Sequence, residues 1–154
     1  MPANSLDSQL TITSCNPQLH SAFIRSLTRD NFYLTISRTI GWDEELHQQE
    51  PRPERYTMVY CNHDLIGFFA IREVSDYLYI QTIQLVASFR GRGYGTTLLQ
   101  HIENIARMKN LQRIYLSVFK DNPAQRLYQR LGYKPIAQDE YLIRMGKIIS
   151  NPVD

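Results

Sequence analysis

Three of the chain's seven glycines fall within five residues, at Gly91, Gly93 and Gly95. An apolar, β-forming stretch ends just before them at Val86, and a segment with helical apolar spacing follows. Glycine lets a backbone turn tightly and approach a ligand closely. A helix start leaves its first N–H groups unpaired and carries partial positive charge. At one strand-to-helix turn these features make an anion site suited to a pyrophosphate. Arg90 and Arg92 add charge, and a guanidinium matches phosphate oxygens geometrically. The bland alternative is a glycine-rich turn that holds nothing. Two other phosphate turns do not match. The nucleoside-triphosphate loop requires a lysine after its last glycine, whereas Gly95 is followed by Thr96 and Thr97. The dinucleotide fingerprint requires two residues between its second and third glycines and an acid about 20 residues on. Here single residues separate the glycines, and the acid is missing.

A second segment reads Asn122-Pro123-Ala124-Gln125-Arg126-Leu127-Tyr128-Gln129-Arg130-Leu131-Gly132-Tyr133. Ala124, Leu127, Tyr128 and Leu131 share one helical face, and Gly132 closes the helix. From periodicity alone Tyr128 is a core residue with its hydroxyl at the edge.

Together the two segments resemble the GNAT family of N-acetyltransferases. Arg90-x-x-Gly93-x-Gly95 is similar to that family's coenzyme A motif, and 122–133 is similar to its asparagine, alanine, Leu-Tyr and Gly-Phe pattern. The resemblance covers roughly residues 8–146, with its specificity in 83–95 and 121–133. It implies acetyl-CoA as acetyl donor, no metal, and transfer to an amine by direct attack through a tetrahedral intermediate. It implies that residues 83–86, with Leu85 and Val86, hold the pantetheine arm by backbone bonds, and that the Leu85 N–H faces the acetyl carbonyl. Backbone N–H groups of Arg90, Gly91, Arg92, Gly93, Tyr94, Gly95 and Thr96 would cradle the pyrophosphate. Asn122 would touch the cofactor, and Tyr128 would be the general acid. One spacing departs from a common form of the pattern. The asparagine often lies seven residues before the tyrosine, but Asn122 lies six before, and Asp121 takes the seventh place. Asn122 is therefore read equally as a helix cap.

Acyl transfer to an amine sets three tasks. The amine must be neutral, although an alkylamine has a pKa near ~10.4. The oxyanion needs a donor such as a backbone N–H. The departing thiolate needs a proton, which a phenol of pKa near ~10 still holds at pH 7. The strand before the glycine turn carries no acid to serve as base. Water held by Gln81, Thr82 or Gln84, a carboxylate from Glu44 or Glu45, and His47 all remain candidates. The resemblance puts the acceptor site within 32–54, where Tyr33 and Trp42 would be apolar walls. Glu44 and Glu45 there would favour a cationic amine, and Gln84 is a further candidate contact. For Trp42 the competing reading is core packing. Small amines, polyamines, amino acids, aminoglycosides and protein lysines all fit as acceptors.

These residues need elements to position them. A strand is expected over 10–13, then a helix from Asn16-Pro17 to about Ile40, with a second or broken helix from Asn31 onward. Pro51 and Pro53 stop any helix there. A three-strand meander follows over 56–61, 65–72 and 77–86, with Gly67 marking a bulge or a close backbone approach. Then come a helix over 93–110, a strand over 113–119, a helix over 122–131 and strands over 133–136 and 141–145. This order predicts an α/β fold: a mixed, mostly antiparallel central sheet flanked by helices, as the GNAT resemblance also implies.

A chain of 154 residues is expected to form one domain, here 9–149, with a flexible segment over 1–8 and a tail over 150–154. No stretch is apolar enough to span a bilayer, and no secretory leader is expected. Cys15 and Cys61 make neither a disulfide framework nor a zinc motif, which favours a reducing, cytoplasmic setting. The net charge is +2, but residues 90–134 hold nine of the 17 basic residues and two of the 15 acidic ones. That segment carries +7 and the remainder −5, so one part attracts anions and another, around Asp43, Glu44, Glu45, Glu50 and Glu54, attracts cations. Solvated helix faces explain the same pattern. No nucleic-acid motif is present, so neither nucleic acid nor membrane is an expected partner. A homodimer is compatible with the sequence without being determined by it. The alternative to an enzyme is a non-catalytic coenzyme A-binding or sensing module with this fold.

Overall fold

The computed structural model describes residues 4–6 and 9–149. The flexible segment expected over 1–3 and 7–8, and the tail over 150–154, lie outside the described residues. Asn4–Ser5 forms a two-residue strand, β1, where flexible chain was expected; it pairs antiparallel with the next strand. Among the described residues eight strands are hydrogen-bonded in the order β1, β2 (Leu10–Ser14), β3 (Tyr56–Cys61), β4 (Asp64–Val74), β5 (Tyr77–Leu85), β6 (Arg113–Phe119), β8 (Leu142–Ile148), β7 (Lys134–Gln138). The sheet is mixed, with β5 and β6 parallel and β6 and β8 antiparallel, and four α-helices accompany it among the described residues. The α/β class read from the sequence therefore holds.

The described chain divides into two compact units. The first takes in residues up to 70 together with 82–90. In it β2 (Leu10–Ser14) pairs antiparallel with β3 (Tyr56–Cys61), which pairs with β4 (Asp64–Val74). The β3–β4 hairpin turns through Asn62 and His63, at φ 48° and 79°, the left-handed pair that a two-residue hairpin loop requires. Helix α1 (Pro17–Arg38) starts at Asn16, whose side chain accepts from the Gln18 N–H, with proline at the first helical position. Its buried residues are the adjacent His20 and Ser21, then Ile24 and Leu27 one turn apart on the same face, and Ile24 and Leu27 pack on Met58 and Phe68. The break expected at Asn31 does not occur. Neither Pro nor Gly interrupts 18–40, and the Asn31 side chain bonds to distant residues instead of capping a new helix. A short helix, α2 (Glu44–His47), follows.

The second unit comprises 71–81 and the residues from 91 onward, so β4 and β5 (Tyr77–Leu85) each run through both units. Here β5 pairs in parallel with β6 (Arg113–Phe119), from Leu78↔Ile114 to Ile80↔Leu116. Parallel neighbours need a crossover, and α3 (Tyr94–Met108) supplies it. The apolar spacing in the sequence puts Leu98, Leu99, Ile102, Ile105 and Ala106 on one stripe of α3; all are buried except Ile105, which is half-buried, and Glu103 is buried with them. Burying each leucine or isoleucine is worth about 1.5–3 kcal/mol. Next come α4 (Ala124–Arg130), β7 (Lys134–Gln138) and β8 (Leu142–Ile148), the last antiparallel to β6.

Candidate active site

The glycine turn has the backbone that its sequence requires. Gly91 and Gly93 lie at φ 74° and 84°, in the left-handed region that a side chain disfavours. A Cβ at either position would meet nothing within 4 Å, so conformation and not crowding selects glycine there. Gly93 is the N-cap of α3 and offers no side-chain cap. Helical pairing begins with the Thr97 N–H, which bonds the Gly93 carbonyl at 3.2 Å. A helix start of this kind is where backbone N–H groups and the helix dipole hold a phosphate. Gly95 answers a different need: a Cβ there would lie 2.9 Å from Leu127 Cδ2, so it lets α3 approach α4 closely. A left-handed, uncapped helix start with open space above it fits a pyrophosphate.

The strand end before the turn belongs to the first unit. Gln84 is buried and both ends of its side chain are engaged: Oε1 accepts from Asn31 Nδ2 at 3.1 Å, and Nε2 donates to Thr28 Oγ1 at 3.2 Å and Thr82 Oγ1 at 3.1 Å. It anchors β5 to α1, with both amide hydrogens committed to the protein. The Val86 N–H is likewise committed, donating to the Ile66 carbonyl at 2.8 Å, and the Val86 carbonyl accepts from the Phe89 N–H at 3.0 Å. Arg90 turns to this unit: Nε donates to the Leu85 carbonyl at 3.3 Å and Nη2 donates to Asn31 Oδ1. The side chain expected on phosphate is thus tied to α1 and to the strand end.

The second unit carries Asn122 and Tyr128. Asn122 Oδ1 accepts from the Ala124 N–H at 2.9 Å, so the local cap is its observed contact. Tyr128 is half-buried on α4, and burial pushes its phenol up to about 12. That hydroxyl keeps its proton throughout the neutral range.

Of the residues expected at the acceptor site, Tyr33, Trp42 and Glu44 cluster with Arg29 and His47 in the first unit. Trp42 meets Tyr33 edge-on at 5.1 Å and His47 at 4.6 Å, and the Arg29 guanidinium lies 5.3 Å from the Trp42 ring and 5.6 Å from the Tyr33 ring. Glu44 accepts from Arg29 Nη2 at 2.5 and 2.7 Å, from Trp42 Nε1 at 2.7 Å and from Gln48 Nε2 at 2.9 Å. The bonds from Gln48, Trp42 and Arg29 lower its carboxyl to about 2. That is a poor base toward an ammonium, and its charge is already balanced. Asp43 caps the Leu46 N–H, and Glu50 pairs with Arg25 at 3.1 Å. Among the described residues Asp43, Glu45 and Glu54 are exposed acids of this stretch without an ion pair. Burial and then Arg29 lower the His47 pKa, leaving its imidazole neutral at pH 7.

Sequence reasoning missed Asn31 and Arg29, whose partners lie far along the chain. It also passed over Glu103, an acid inside the apolar stripe of α3, which was itself a visible signal. Among the described residues no helix is long and apolar enough to cross a membrane.

Comparison with known proteins gives a consistent answer. A family model described as Acetyltransferase (GNAT) family matches residues 21–133. A putative ribosomal protein bS18-alanine N-acetyltransferase from Bacillus subtilis is 28% identical over 117 residues, which is 75% of this chain and 69% of that one. A spermine/spermidine N(1)-acetyltransferase from the same species is 30% identical over 86 residues, covering 49% of this chain and 57% of that one. The matched stretch spans about half the length of several curated relatives. Among solved structures, the PaiA N-acetyltransferase of Thermoplasma acidophilum in complex with coenzyme A superposes with a TM-score of 0.75 at 17% identity, covering 90% of this chain and 98% of the other. With a model match over well more than half of its length, the chain belongs to the GNAT acetyltransferase family.

Proposed function

We propose that the protein is an acetyl-CoA-dependent N-acetyltransferase acting on a primary amine. The observation that carries this reading is the start of α3: two left-handed glycines and an N-cap without a side chain, in a chain of this family. Backbone N–H groups of 91–96 would hold the pyrophosphate, and the strand end at Leu85 the pantetheine arm. When bound, acetyl-CoA supplies an activated acyl carbon and a thiol leaving group. The Leu85 N–H is the donor assigned to the carbonyl oxygen. Tyr128 holds a proton on its phenol oxygen and would deliver it to the departing sulfur. The Leu85 carbonyl would share its two lone pairs between Arg90 and the cofactor's amide.

The relatives act on different amines by name, a ribosomal protein alanine in one case and spermine or spermidine in another. Glu44 and Glu50 are balanced by Arg29 and Arg25, while Asp43, Glu45 and Glu54 have no ion pair among the described residues, so this stretch keeps negative charge that suits a cationic amine. The test is release of free thiol from acetyl-CoA against a panel of alanine-terminated peptides, lysine peptides, simple monoamines and polyamines. Release that depends on one amine class supports the reading. Binding of acetyl-CoA without release by any amine would favour the non-catalytic binding module.

A further inference from the structure

Tyr128 and Tyr133 are joined through both backbone and side chain. Helix α4 ends with the Gly132 N–H on the Gln129 carbonyl at 3.1 Å and the Tyr133 N–H on the Tyr128 carbonyl at 3.0 Å. Gly132 at φ 93° makes that closure possible. The closure brings the two rings together, edge to face at 6.0 Å and 64°. Tyr133 is only 1% exposed, and its hydroxyl donates to Glu103 Oε2 at 3.0 Å. Glu103 is 5% exposed on the buried stripe of α3. Its carboxylate also accepts from Lys147 Nζ at 3.1 and 3.2 Å, with Arg107 4.0 Å away. The Lys147 stem covers Gly132, where a Cβ would lie 3.4 Å from Lys147 Cε. Burial and the Glu103 charge raise the Tyr133 pKa, so this phenol remains a donor.

Burying the Glu103 carboxylate carries a desolvation cost that pairing with the half-buried Lys147 ammonium offsets only in part. Their use here calls for a role in geometry. A phenol acting as acid must bring its O–H within hydrogen-bond reach of the accepting atom. Tyr128 has a ring neighbour whose far end is anchored at the hydroxyl, which fixes where that ring lies.

We propose that Glu103 is a positioning residue for the Tyr128 phenol, acting through the hydroxyl-anchored ring of Tyr133, with Lys147 holding the carboxylate. This rests on Tyr128 being the acid. The test measures kcat, KM for acetyl-CoA and thermal unfolding for Tyr133→Phe, Glu103→Leu, Glu103→Gln and Tyr128→Phe, and for Tyr133→Phe combined with Tyr128→Phe. Tyr133→Phe and Glu103→Leu should lower kcat about 3- to 30-fold with KM unchanged. Glu103→Gln keeps an acceptor for the Tyr133 hydroxyl and should restore most of kcat. In the Tyr128→Phe background, Tyr133→Phe should cost nothing further, since there is no acid left to aim. Multiplying effects in the double variant, or wild-type kcat in Tyr133→Phe, would overturn the positioning role while leaving the acid intact. Wild-type kcat in Tyr128→Phe would remove the acid reading and this proposal with it. If Glu103→Leu does not fold, Tyr133→Phe and its double variant decide alone.

Discussion

The carbonyl oxygen of Gln84 occupies the place where a side chain on Gly67 would begin: a Cβ built there lies 2.2 Å from it and 3.1 Å from Leu85 Cα. The β3–β4 register also shifts beside this point, between Val59 and Tyr60. The close approach that Gly67 signals in the sequence is therefore made to the strand end assigned to the cofactor. Gly67→Ala should destabilise the protein by about 1–3 kcal/mol, because a strand must move to admit the methyl. A denaturant midpoint unchanged from wild type would contradict this.

Tyr128→Phe should reduce kcat about 100-fold or more while KM for acetyl-CoA stays near wild type. The pH dependence follows from the direction of the shift. Burial raises the Tyr128 pKa to about 12, so its proton is present at every pH below that value. A kcat–pH profile from pH 6 to 10 should show no loss of activity on the basic side attributable to Tyr128. Its rising limb should track deprotonation of the amine or its base, and Tyr128→Phe should lower the profile without moving that limb.

The Arg29–Glu44–Trp42 clasp has an optical reporter, since Trp42 is the chain's single tryptophan. Glu44 is lowered from 4.5 to about 2. A depressed carboxyl pKa means that the clasp is fully formed above the unfolded value and is lost only as pH falls toward the folded one. In a His47→Gln background, which removes the imidazole 4.6 Å from the indole, Trp42 fluorescence should hold steady from pH 7 to about pH 4 and change on approach to pH 2. Adding Glu44→Gln should abolish that transition. A midpoint near pH 4.5 in the His47→Gln protein would show that the carboxylate is not held.

The most legible parts of the molecule were those with local causes. The α3 stripe is a 3.6-residue pattern, and Gly91 and Gly93 are required by their own φ values; both read directly. The hairpin at Asn62 is turn chemistry. What did not read was long-range. Arg90 is 59 residues from Asn31 in sequence, and no local pattern says that its guanidinium would turn there instead of toward the glycines. Gln84 looked like a free amide for holding water, but α1 uses both ends of it. The break placed at Asn31 failed for the same reason: its side chain serves tertiary partners. β1 is only two residues long, too short for any periodic signal. Glu103 stood in plain view within an apolar stripe, and only its buried partners explain why an acid is there.

The central claim concerns the start of α3, and thermal unfolding with excess acetyl-CoA tests it most directly, on wild type and on Gly93→Val. At about 100 times its dissociation constant a ligand stabilises by roughly 2.7 kcal/mol, several degrees for a domain of this size. Valine at a left-handed position costs about 1–2 kcal/mol in backbone strain, close to a tenfold loss of affinity if the strain falls on the bound turn. The account predicts a clear upward shift for wild type and a much smaller one for folded Gly93→Val. No shift in folded wild-type protein would contradict it, and the glycine turn would then be a structural corner and nothing more.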